Sequence, residues 1–103
     1  MKNSIILVGC GGHAKSIIDT IELEKKWVIK GLIGLPSQRR EKILGYSVIG
    51  SDSDLETLRK DINYAFISIG QITSSKKRIN IAEKLFKHDY IVPNIKSPFS
   101  IIS

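Results

Sequence analysis

Ser4-Ile5-Ile6-Leu7-Val8-Gly9-Cys10-Gly11-Gly12-His13-Ala14-Lys15 is the stretch on which the reading of the fold turns. Ser4 to Val8 is an unbroken, almost wholly apolar run, the pattern of a parallel strand covered on both faces. Glycines follow at once. Beyond them Ala14, Ile17, Ile18 and Ile21 recur at helical spacing, while Asp19, Glu22, Lys25 and Lys26 fall on the opposite side. The segment therefore reads as strand, tight turn, helix.

The turn matches G-x-G-x-x-A through Gly9, Gly11 and Ala14, and its place between strand and helix gives the match its value. Gly9 permits the sharp turn, Gly11 lets the backbone approach a phosphate or ribose, and Ala14 lets the helix pack closely on the sheet. Free N–H groups and the helix dipole then favour an anion at that end. Gly9, Cys10, Gly11, Gly12 and His13 are accordingly candidate ligand-binding residues. His13 could hydrogen-bond a phosphate or a sugar hydroxyl, or only cap neighbouring backbone. Cys10 would feel the same dipole, but no base stands beside it in sequence, so it is not assigned as a nucleophile. The bland alternative is a glycine turn that serves strand-to-helix packing alone.

Outward from this segment the alternation continues. Trp27 to Ile33 reads as a second strand with Gly31 inside it, and Gly34 to Gly45 as a loop. Tyr46 to Ile49 is a short, edge-like strand. Ser53 and Glu56 have the spacing of a capping box for a second helix with Leu55, Leu58 and Ile62 as its buried stripe. Tyr64 to Ile69 is a further buried strand closed by Gly70. Ser74 or Ser75 caps a third helix in which Ile79, Ala82 and Phe86 repeat, with Leu85 beside them. Tyr90 to Val92 is a last short strand stopped by Pro93. The expected class is α/β, a Rossmann-like parallel sheet flanked by helices with right-handed crossovers. Ligands of such sheets bind at the carboxyl ends of strands, which joins Gly70 and Gln71 to the first glycine turn in one crevice.

Composition narrows the function classes. One hundred and three residues support one core, and 42% apolar with 25% charged residues is ordinary for a globular domain. The net charge of +6 is spread in short groups, including Lys25-Lys26, Arg39-Arg40 and Lys76-Lys77-Arg78. No helix carries a basic stripe and no aromatic-rich strand interleaves with the charges, so no nucleic-acid partner is expected. Membrane insertion is not expected either, because no apolar run approaches a spanning length. Met1-Lys2-Asn3 leads directly into a short run without a secretory pattern, and the single cysteine fits a cytoplasmic protein.

The ordered set of motifs resembles the N-terminal domain of the sialic-acid and nucleotide-sugar acetyltransferases, the NeuD/PglD type. The segments that carry the likeness are Gly9 to Lys15, Leu44 to Leu55, and Ile67 to Gly70. Val92 to Ser103 is similar to the family's joint, where a left-handed β-helix opens. The resemblance implies residues 1–95 as a Rossmann-like nucleotide-sugar-binding domain and 96–103 as the start of the connection to an absent β-helix. It implies bacterial surface-glycan biosynthesis, with the β-helix binding acetyl-CoA, supplying the catalytic histidine and making a homotrimer. No cofactor and no catalytic residue is then expected on this chain, which alone should not acetylate a sugar.

Residue by residue, the likeness carries contact with a nucleotide sugar or sugar onto Gly11, Gly12, His13 and Gly70. Many members have Asp-Asp after the second strand, contacting the nucleoside; Gly34-Leu35-Pro36 stands there instead, so Gly34 is the candidate at that position. Gly70-Gln71-Ile72 replaces the common G-[DN]-N. A second function class is an NAD-type module of an oxidoreductase or sensor. The acid that such domains place after the second strand to bind ribose is missing. A third is an assembly domain whose glycine turn binds nothing.

Overall fold

The computed structural model describes residues 3–9, 13–68 and 75–93. Five strands form one sheet in the order β3-β4-β2-β1-β5: β1 is Asn3–Val8, β2 Trp27–Ile33, β3 Lys42–Ile43, β4 Tyr46–Gly50 and β5 Tyr64–Ile67. All neighbouring pairs are parallel except β3 with β4. Strand β1 lies inside the sheet between β2 and β5, and its four residues from Ile5 to Val8 are almost wholly buried. This is what an apolar run with no polar alternation demands of both faces of a sheet.

Side chains alternate across that sheet. Ile5 and Leu7 point to one face, where Ile18 and Ile21 of α1 (His13–Glu24) pack with Ile29, Leu32 and Val48. Ile6 and Val8 point to the other, packing with Leu55, Ile62, Ala65, Ile81, Leu85 and Tyr90. Those residues belong to α2 (Leu55–Leu58), α3 (Ser75–Lys87) and the segments that follow them. The result is the expected doubly covered α/β architecture.

Five details differ from the sequence reading. The segment from Gly34 to Gly45 is more than a loop: it contains a 3₁₀ turn at Pro36–Gln38 and strand β3. Leu44 and Gly45, at φ 51° and 88°, close a two-residue hairpin to β4. Strand β4 is therefore covered on its outer side. The second helix begins near Ser51 to Asp54 as expected, but its capping pair is Ser51 and Asp54 rather than Ser53 and Glu56: Asp54 Oδ2 accepts the backbone N–H of Ser51 at 2.8 Å. A 3₁₀ turn at Asp52–Asp54 leads into α2.

The third helix is rotated relative to its expected stripe. Ile81 and Leu85 are buried, whereas Ile79 and Phe86 are 56% and 70% exposed. The last segment makes a single parallel bridge, Tyr64 to Ile91, rather than a strand. Strand β5 ends at Ile67, and Ser68 continues it without strand pairing of its own.

Candidate functional site

The carboxyl ends of four strands meet at one level. Gly9 follows β1 with φ 115°, a conformation that only glycine adopts freely, and its N–H donates to Ile33 O at 2.7 Å. Gly34 follows β2 and donates to Gly50 O, the last residue of β4, at 3.0 Å. On the other side Ser68 N–H donates to Val8 O at 2.9 Å. These three backbone bonds lace β4, β2, β1 and β5 together just where the chain turns toward its helices.

Helix α1 begins at His13, four positions after Gly9, and runs for 12 residues. No acidic residue occupies its first turn. Its positive dipole end is therefore not neutralised by its own side chains. Ala14, completely buried, sets the close approach of helix to sheet that the G-x-G-x-x-A pattern anticipates. The structure thus brings Gly9, Gly34 and the first residue of α1 to one end of the sheet. Cys10, Gly11, Gly12, Gly70 and Gln71 lie outside the described residues, as does the side chain of His13.

The end of β2 carries no acid. Leu35, 60% exposed, follows Gly34, and its N–H donates to Gln38 Oε1 at 2.8 Å. That bond closes the 3₁₀ turn and occupies the position where a dinucleotide domain would present a carboxylate to ribose. Polar groups stand instead at the end of β4: Ser51 Oγ and Ser53 Oγ lie 3.2 Å apart, and Asp52 Oδ2 accepts from Lys84 Nζ at 2.6 Å. Asp54 is committed to the Ser51 N–H. It also sits so close to Gly50 that a Cβ there would meet its Oδ2 at 2.6 Å.

Ser68, which the sequence reading passed over, lies beside Gly9 at this end of the sheet. It is 1% exposed, and its hydroxyl donates to Gly9 O at 2.8 Å, with Val8 O at 3.3 Å as a longer second acceptor. The only signal in the sequence was a polar residue ending an apolar strand. Among the described residues no group of three or more His, Cys, Asp or Glu is placed to hold a metal ion. Among the same residues no helix is long and apolar enough to cross a membrane.

The family model for the PglD N-terminal domain matches residues 4–85. Among solved structures, the chain is similar to a mutant perosamine N-acetyltransferase from Caulobacter crescentus, determined in complex with CoA and GDP-perosamine. Identity is 25% and the TM-score 0.80, over 93% of this chain and 43% of that one. The acetyltransferase domain of PglB from Neisseria gonorrhoeae, in complex with acetyl coenzyme A, matches at 18% identity and TM-score 0.74, covering 95% and 45% of the two chains. UDP-D-quinovosamine 4-dehydrogenase from Vibrio fischeri matches at 17% identity and TM-score 0.80, covering 99% and 84%. The last two likenesses bear on fold alone. The chain spans less than half the length of the acetyltransferase chains it matches. No curated protein matches it.

Proposed function

Since the chain belongs to the PglD N-terminal domain family, we propose that it is the substrate-binding domain of a sugar acetyltransferase of bacterial glycan biosynthesis. In this reading it holds a nucleotide sugar at the carboxyl end of its sheet. One observation carries the proposal: the strand–glycine turn–helix of β1 and α1 opens beside the laced ends of β4, β2 and β5. A helix start facing such a crevice suits a diphosphate. Gly9, Cys10, Gly11, Gly12 and His13 would line the phosphate side, Gly34 the side of β2, and Gly70 with Gln71 the side of β5.

Residues 1–95 would form this domain, and 96–103 would lead to a β-helix that binds acetyl-CoA, supplies the catalytic base and trimerises. Such a protein would work in the cytoplasm. The sugar would be an amino sugar or a sialic-acid type sugar carried on a nucleotide. The solved perosamine enzyme, with its bound GDP-sugar and CoA, supports this class.

Calorimetric titration of the purified chain with GDP- and UDP-linked amino sugars, CMP-sialic acid and NAD tests the proposal. Saturable binding of a nucleotide sugar is the expected result. Saturable binding of NAD alone would replace it with a dinucleotide module. The exposed Leu35 and the lack of an acid after Gly34 argue against that reading.

A further inference from the structure

In an extended strand, successive carbonyls point to opposite sides and meet different neighbours. Val8 and Gly9 depart from this. The Gly9 N–H still faces β2, donating to Ile33 O, but its φ of 115° turns the chain so that its carbonyl faces β5. Two consecutive carbonyls, Val8 O and Gly9 O, are thus presented to the same side, and one residue takes both. Ser68 N–H donates to Val8 O at 2.9 Å, and Ser68 Oγ donates to Gly9 O at 2.8 Å. The backbone donor would be there for any residue; the second exists only because residue 68 carries a hydroxyl. The other buried hydroxyls among the described residues serve elsewhere: that of Thr20 closes on its own helix at Ser16 O, and that of Tyr90 donates to Leu55 O.

We propose that Ser68 is a positioning residue for the ligand-binding glycine turn. Its hydroxyl holds the Gly9 carbonyl and so fixes the direction in which the chain leaves β1. The inference rests on the proposal that this turn binds a nucleotide sugar, and it adds to it a residue on a different strand. The physical reason is preorganisation. Glycine is the residue with the most backbone freedom to lose, so a turn built on glycines binds well only where other groups fix it. A buried hydroxyl aimed at the turn's first carbonyl does this without entering the ligand's space.

The test uses the full chain and three variants, Ser68→Ala, Ser68→Cys and Ser68→Thr, with GDP- and UDP-linked amino sugars as probes. Loss of the hydroxyl in Ser68→Ala should weaken binding about fivefold. Ser68→Thr, which keeps the donor, should stay close to the parent, and Ser68→Cys, a weaker donor of similar size, should fall between. If Ser68→Ala does not fold, the Cys and Thr variants carry the comparison. Amide hydrogen exchange of Gly9 and the residues leading into α1, measured without ligand, is the second readout. Exchange should speed up in Ser68→Ala while that of Ile6 and Leu7 stays unchanged. A purely structural role would lower thermal stability and speed exchange throughout β1, leaving the affinity of the folded protein unaltered, and that result overturns the proposal. So does an Ala variant indistinguishable from the parent in local exchange. Failure of the parent to bind any nucleotide sugar would instead remove the functional reading, and the exchange data would still decide whether Ser68 fixes the turn.

Discussion

A single residue at φ 51° explains why a strand escaped notice. Leu44 sits in the first central position of the β3–β4 hairpin, followed by Gly45 at φ 88°. Both positions of this turn need positive φ, and the usual signature is Asn-Gly or Asp-Gly. Leucine hides the signature and costs roughly 1 kcal/mol for its strained backbone. Its side chain is 52% exposed, so little packing offsets that cost. Leu44→Asn should therefore stabilise the protein by up to about 1 kcal/mol, read as a rise in the denaturation midpoint with an unchanged slope. A lower midpoint would mean that Leu44 is held by packing instead. Gly31 shows the opposite constraint. A Cβ there would meet Ile49 Cγ2 at 2.7 Å and its Cγ1 and Cδ1 at 2.8 Å, so the whole branched side chain would have to shift. Gly31→Ala should cost on the order of 1–3 kcal/mol. Pairing it with Ile49→Ala should cost less than the sum of the two single changes, as chemical denaturation of the four proteins would show.

Among the elements, the ones legible in the sequence were those with one solution. Ile5 to Val8 has no polar residue to place in water, so β1 could only lie inside the sheet, and α1 followed from Ile18 and Ile21 over Ala14. Helix α3 had two solutions. Ile79, Ala82 and Phe86 form one apolar row, and Ile81 with Leu85 forms another about one position away. Spacing alone ranks them equally. The sheet chose Ile81 and Leu85, which reach Ile6, Ala65 and Tyr90, and left Phe86 outside. Leu85→Ala should accordingly cost about 2–5 kcal/mol, while Phe86→Ser should stay within about 0.5 kcal/mol of the parent. Equal losses in urea melts would restore the expected stripe. The second helix misled in a similar way: Ser51/Asp54 and Ser53/Glu56 share one spacing, and only the bond from Ser51 N–H to Asp54 picks the first. As for the site, the glycine turn announced itself through Gly9 and Ala14. Ser68 did not, because its role depends on a partner 59 positions away in the chain.

Across the whole molecule, two tyrosines tie separate elements together and set its alkaline limit. Tyr46 OH donates to Glu22 Oε2 at 2.7 Å, joining β4 to α1. Tyr90, 3% exposed, donates its hydroxyl to Leu55 O, joining the chain after α3 to α2. The bond to Glu22 raises the Tyr46 pKa, and burial raises that of Tyr90 against a smaller opposing effect of Arg59. A phenol whose folded pKa lies above its unfolded value contributes stability that is fully present below the unfolded value. That contribution is lost as pH rises through the folded one. Stability should therefore hold through neutral pH and fall from about pH 10 upward. Tyr90→Phe should remove roughly 1 kcal/mol at neutral pH by taking one of two donors from Leu55 O, which keeps the Arg59 N–H at 3.1 Å. The same change should flatten the alkaline fall, and thermal melts between neutral pH and strong alkali would show both. A Tyr90→Phe protein with an unaltered alkaline slope would place the titration elsewhere.

The short strand β3 has a further consequence, for self-association. Without it and the two residues before it, the outer side of β4 would offer a row of free N–H and C=O groups, an invitation to pair with the same edge of another molecule. Lys42 and Ile43 block that edge by pairing with Ser47 and Tyr46, and the residues before them extend the cover: Val48 N–H donates to Glu41 O at 2.8 Å and Arg40 N–H donates to Val48 O at 3.3 Å. This cover is turned back along β4 by Leu44 and Gly45, both at positive φ. Gly45→Val, which a positive φ disfavours, should loosen the hairpin and make the protein prone to precipitate on concentration or warming while it is still folded. The tendency of this domain to aggregate should thus depend on the turn between β3 and β4, away from both the core and the first turn of α1.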